Sequence, residues 1–164
     1  MKTTITAVID GATTSSLFEQ VATLERYPAW MRLVHRAAPL EPDDGRLAWW
    51  VELRAKIGPF ARSKQLRMVR TVFEPDRRVR FERVQHDRRD HAEWILTADV
   101  ADVADSSDVA ATAGGDGLRG AVITMHLEYT GELWSASVLG RILDDEVRRS
   151  TRALTSLLSE LPMR

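Results

Sequence analysis

Arg70 and Arg83 are the residues in this sequence best placed to do chemistry. Each falls in an alternating segment, "KQLRMVRTVF" and "RVRFERVQ", at the parity of apolar neighbours: Leu66, Met68 and Val72 for the first, Val79 and Phe81 for the second. A guanidinium stays charged in proteins, so an arginine on an inward face must meet a carboxylate, a carbonyl or a ligand anion. One reading has them hold a carboxylate, enolate or phenolate in a pocket. The other has them satisfied within the protein, for example by Glu146 of the terminal helix, or displaced by a slip of strand register. Tyr129 is the nearest candidate acid or base if the site is catalytic.

Other chemistries find less support. There are no cysteines, which removes disulfides, thiolate zinc sites and cysteine nucleophiles. The four histidines show no ligand spacing, so no metal site is expected, and no G-x-S-x-G elbow or phosphate-cradling glycine loop occurs. No cofactor is expected. The run "RAKIGPFARSKQLRMVR" carries six basic residues and no acid, yet the chain's formal charge is only −1. A third reading, contact with nucleic acid or an anionic membrane through this run, is thereby weakened, and no nucleic acid is expected as partner.

These residues need elements to position them. "TTITAVIDG" alternates as a strand; "SLFEQVATL" has Ser16 and Glu19 at capping-box spacing with Leu17, Val21 and Leu24 on one face. Pro28 suits the first turn of a second short helix carrying Trp30, Leu33 and Val34, and "RAAPLEPDDGR" reads as a turn-rich connection. Five strand-like segments follow between Leu47 and Tyr129, broken by "GPFA", "EPDR", "DRRD" and the long acidic "ADVADSSDVAATAGGDG". The end is one long amphipathic helix with Leu139, Leu143, Val147, Leu154 and Leu158 along its seam.

Register follows if "GPFA" is a four-residue loop: Leu53 then meets Leu66, Val51 meets Met68, and Glu52 meets Arg67 on the outer face. Val72 opposite Val79 sets Arg70 beside Phe81 and Met68 beside Arg83. A "DRRD" loop pairs His86 with His91 and sets Trp94 across from Arg83. The inward set is Trp49, Leu53, Met68, Phe81, Trp94 and Leu96, joined on the last strand by Ile123, Met125, Leu127 and Tyr129. Five tryptophans suit an aromatic-lined cavity, though core packing accounts for most of them equally well. Trp50 and Ile95 face outward, where a homodimer contact is one reading.

The layout resembles the START-like or SRPBCC superfamily, in its polyketide cyclase/dehydrase and lipid-transport branch. The resemblance rests on "TTITAVIDG", "LFEQVATLERYPAWM", "VRFER", "LEYTG" and the terminal helix, and covers nearly the whole chain. It implies an α+β helix-grip fold: a curved antiparallel sheet of six or seven strands, in the order β-α-α-β5-α, wrapped around a long C-terminal helix. Residues 1–164 then form one domain with an internal hydrophobic cavity. The implied function is carriage or sequestration of a lipid, quinone or polyketide, with a polyketide aromatase/cyclase or dehydrase as the alternative; fold analogy does not choose between binding protein and enzyme. The ligand contacts expected are Trp49, Leu53, Met68, Arg70, Phe81, Arg83, Trp94, Met125, Tyr129, Leu139 and Leu143. With 44% hydrophobic residues and no window of 18 apolar residues, the chain reads as a cytoplasmic protein without an integral membrane segment.

Overall fold

Alternation in the sequence becomes a single sheet. In the computed structural model, which describes residues 1–106, 119–131 and 136–160 and omits the side chains at 57, 136–139, 143, 144 and 147, β1 spans Lys2–Asp10 and is followed by helix α1, Thr14–Val21, and a 3₁₀ segment, Leu24–Ala29. Then come β2 (Val34–Asp43), β3 (Arg46–Ile57), β4 (Phe60–Glu74), β5 (Arg78–Arg83), β6 (Trp94–Asp102) and β7 (Gly120–Tyr129), and the terminal helix α2, Ala136–Ser159. The seven strands form one antiparallel curved sheet in the order β1-β7-β6-β5-β4-β3-β2. This is the helix-grip layout expected from the resemblance, with seven strands rather than six. Most of the long acidic break, and the ends of the terminal helical stretch, lie outside the described residues.

The first helix begins earlier than the Ser16 signal suggests. Thr13 is the cap: its Oγ1 accepts the Ser16 N–H at 3.0 Å, while Ser16 Oγ accepts the Thr13 N–H at 3.1 Å. A serine thus closes the reciprocal box in which a glutamate was expected. The helix ends at Val21, and Pro28 lies inside the 3₁₀ segment instead of opening a second α-helix.

β2 is the element that sequence periodicity missed. The stretch read as a turn-rich connection pairs with β3 from Val34↔Leu53 to Asp43↔Arg46 through the two-residue turn Asp44-Gly45. Both turn residues have positive φ, 49° and 74°, which is what a tight hairpin with the strands' own twist requires. Pro39 and Pro42 made the segment look unlike a strand, but β2 is an edge strand, where a missing N–H costs little.

Two registers differ from expectation. Ile57 pairs with Phe60, so the β3–β4 turn is Gly58-Pro59, with Gly58 at φ 61°, and not the four residues of "GPFA". Leu53 therefore meets Lys64, Val51 meets Leu66, Trp49 meets Met68, and Glu52 meets Gln65. The displacement is an even number of residues, so every side chain keeps its face. Between β4 and β5 a bulge between Arg70 and Val72 sets Phe73, rather than Val72, opposite Val79, while Arg70↔Phe81 and Met68↔Arg83 hold as counted. His86 and His91 do not pair, because residues 84–93 leave the sheet: His86 Nε2 lies 3.2 Å from Asp43 Oδ2 and His91 Nε2 lies 2.8 Å from Asp87 Oδ1.

The inner face of the sheet and the buried stripe of α2 enclose the core. Glu146, Ser150 and Leu154 recur every four residues on that stripe and are all buried. Leu154 alone, at 2% exposure, contributes roughly 1.5–3 kcal/mol by leaving water. Glu146 sits on the apolar stripe itself.

Candidate ligand-binding cavity

The core is not filled between sheet and helix. A cavity with room for water-sized molecules over about 90 Å³ lies within about 950 Å³ of non-atom space, the latter including its open mouth. Strands supply Leu53 and Met68 from one side, Trp94 and Met125 from the other; α2 supplies Glu146, Ser150, Thr151 and Leu154. The wall is otherwise almost wholly apolar, so its polar character is concentrated on one patch of α2.

Of the residues expected at the ligand, Leu53, Met68, Trp94 and Met125 line this space. Leu139 and Leu143 have side chains outside the described residues. Trp49, Phe81 and Tyr129 are inward and buried, as their parity requires, yet they sit outside the cavity wall. Their rings are taken up by other rings: Trp49 stacks edge-on to Phe81 at 5.5 Å, Phe81 edge-on to Tyr27 at 6.2 Å, and Tyr129 lies 4.5 Å from Trp94. Tyr27 is fully buried, which drives its phenol far above the usual range, and its hydroxyl donates to the Val21 carbonyl at 3.2 Å. With Trp30, 4.7 Å away, this cluster packs the 3₁₀ segment onto the sheet.

Arg70 and Arg83 also lie outside the wall. Arg70 donates through Nη1 to the Ala22 carbonyl at 3.0 Å, and its guanidinium lies 4.0 Å from the Phe73 ring centre. Arg83 donates to the Ala92 carbonyl at 3.1 Å and to the side-chain oxygen of Gln85. Burial lowers the pKa of both, opposed by Glu25 for Arg70 and by Asp87 for Arg83. Neither pairs with Glu146. Backbone carbonyls from neighbouring segments take one Nη of each, while Arg83 Nε stays buried without a partner among the described residues, an outcome that strand parity cannot reveal.

The remaining basic residues of the β3–β4 hairpin disperse. Arg54 lies 3.8 Å from Glu52, and Arg67 lies 2.8 Å from Asp43. Lys64 Nζ sits over the rings of Trp94 and Tyr129, 5.9 Å and 5.7 Å from their centres. Its pKa is lowered first by burial and then by the charge of Arg83. Phe60, at the hairpin tip, is 71% exposed, whereas Trp50 and Ile95 are half-buried.

Glu146 is the functional candidate that the sequence reading placed in the wrong role. Its Oε1 accepts the Leu33 N–H at 3.3 Å and the Ser150 hydroxyl at 3.4 Å. Among the described residues no lysine or arginine pairs with it. The signal was present: Glu146 and Ser150, at four-residue spacing, interrupt a leucine seam. Trp30, Leu33 and Val34, read as a helical face, also line the cavity together with Met31, from the turn that follows the 3₁₀ segment and the start of β2. Among the described residues no three acidic or histidine side chains converge as a metal site would need, and no helix is long and apolar enough to cross a membrane.

No family model matches the sequence, and no curated protein matches it. Solved structures do match. A START superfamily protein from Mycobacterium smegmatis superposes with TM-score 0.64 at 13% identity, over 97% of each chain. A protein from Deinococcus radiodurans matches with TM-score 0.60 at 18% identity, over 95% of this chain and 98% of its own. The di-domain ARO/CYC StfQ of the steffimycin biosynthetic pathway matches with TM-score 0.62 at 13% identity, over 97% of this chain and 50% of its own. At such identities the likeness establishes a shared START-like fold.

Proposed function

We propose that this START-like chain, residues 1–164 acting as one domain, binds a hydrophobic small molecule in the cavity between the sheet and α2. One observation carries the reading: a partly open apolar cavity whose polar groups gather on a single patch of one helix. An apolar wall with a few placed polar groups is the ordinary make-up of a small-molecule site. Leu53, Met68, Trp94 and Met125 are the contacts proposed from the strands, with Leu154 from the helix.

A polyketide aromatase/cyclase activity is the second reading, favoured by the likeness to StfQ. It requires several polar groups around one reacting carbon. Glu146, Ser150 and Thr151 are the candidates, since Arg70, Arg83 and Tyr129 are outside the wall. Binding needs only one anchor, so it is the simpler account of what the cavity presents.

The test is titration with diphenylhexatriene, a hydrocarbon fluorophore, read by energy transfer from Trp30 and Trp94, which line the cavity. Saturable binding to one site is expected. Ala7→Phe, which pushes a ring into the space from β1, should weaken it about tenfold or more while the fold persists. Absence of saturable binding, or binding indifferent to Ala7→Phe in a folded protein, refutes the reading.

A further inference from the structure

We propose that Glu146 reads the ligand's head group, selecting apolar molecules that end in a hydrogen-bond donor, a hydroxyl or a protonated amine, over those that end in a carboxylate. The inference rests on the cavity being a ligand site and deepens that reading by naming the ligand class.

The geometry separates the two oxygens of Glu146. Oε1 is occupied, accepting from Leu33 N–H and from the Ser150 hydroxyl. Both partners donate to the same oxygen, and a carboxylate offers acceptors only. Oε2 retains accepting capacity on a residue that lines the cavity and is only 8% exposed. Those two tethers, one to the backbone entering β2 and one within α2, hold the carboxylate on the wall. It is therefore a fixed acceptor rather than a mobile side chain.

An apolar ligand that fills the cavity strips water from Oε2. A buried acceptor, and above all a buried charge, is costly without a partner, so the ligand must bring a donor to that point. A ligand carboxylate there would bring acceptors only and set its oxygens against those of Glu146. The cations that could have reversed this preference are engaged elsewhere: Arg70 on the Ala22 carbonyl, Arg83 on Ala92 and Gln85, both outside the wall. Lys64 lies over Trp94 and Tyr129 and is likewise outside it.

The experiment compares four probes of one chain length, decanol, decylammonium, methyl decanoate and decanoate, each displacing diphenylhexatriene from the unmodified protein. Decanol and decylammonium should bind about tenfold tighter than the ester and the carboxylate. Glu146→Gln keeps an oxygen for Leu33 and Ser150 but can turn an amide N–H toward the cavity. The preference for decylammonium over decanoate should then fall by about tenfold. If diphenylhexatriene binds and the four probes show no preference for the donor heads, or the variant leaves the ratio unchanged, the head-group inference fails alone. If neither diphenylhexatriene nor any probe binds, the cavity reading fails and takes the inference with it. The ranking in the unmodified protein stands without the variant.

Discussion

Glu146 Oε1 lies 3.3 Å from the backbone nitrogen of Leu33, a residue 113 positions earlier in the chain. One carboxylate thus ties the terminal helix to the segment that enters β2, at the wall of the cavity. Removing the carboxylate orphans a buried N–H, so Glu146→Ala should cost about 1–3 kcal/mol. In a domain of this size that lowers Tm by about 2–4 °C per kcal/mol. Glu146→Gln retains an acceptor and should lose clearly less. Equal losses in the two variants, measured by thermal melting, would show that the charge and not the hydrogen bond holds the helix.

Arg70 and Arg83 are held by carbonyls outside the cavity. Arg70→Met removes the donor to Ala22 and the stack on Phe73, and should destabilise by about 1 kcal/mol. Its affinity for diphenylhexatriene should stay within about a factor of two, because the site is separate and effects of separate sites add. A large selective loss for decanoate in this variant would return the arginine to the ligand.

Gly120 pairs with Asp10 where β7 begins, and a Cβ there would stand 2.6 Å from the Ile9 carbonyl oxygen. The obstacle is backbone and cannot swing aside. Gly120→Ala should therefore destabilise by about 1–3 kcal/mol, the usual cost of overpacking. A denaturant midpoint equal to that of the unmodified protein would contradict the close approach of β1 and β7.

Asp43 Oδ2 accepts from Arg67 at 2.8 Å, with His86 at 3.2 Å on the same oxygen. The hydrogen bond from Arg67 is the main cause of its lowered pKa, opposed by burial and assisted by His86. A carboxyl depressed on folding stabilises fully above its unfolded value, near 3.8, and that stability is lost as pH falls through the lower folded value. Asp43→Asn should therefore lower Tm at about pH 7, and the gap to the unmodified protein should close below about pH 4. A gap independent of pH would mean that the Asp43 charge is not what the substitution removes.

Local rules carried much of the architecture. Strand parity placed Trp49, Leu53, Met68, Phe81, Trp94 and Met125 on the inner face, and it survived a wrong turn length because the displacement was even. β2 escaped because two prolines and a turn-like composition mask a strand; its Asp44-Gly45 signal was legible but was read as part of a connection. The bulge at Arg70/Val72 left no mark in the pattern.

Parity states which face a side chain takes, and nothing more. Whether an inward residue meets empty space, another ring or a carbonyl depends on what is packed above it from distant parts of the chain. The sequence alone determined an inward layer rich in tryptophan, two inward-pointing arginines and a long helix to cover them. Tertiary packing decided that the end of α1 and the loop before β6 receive those arginines, and that aromatic rings close over Trp49, Phe81 and Tyr129. It also decided that the carboxylate on the cavity wall is that of Glu146, because its two tethers join residues separated by most of the chain, and no local pattern encodes such a distance.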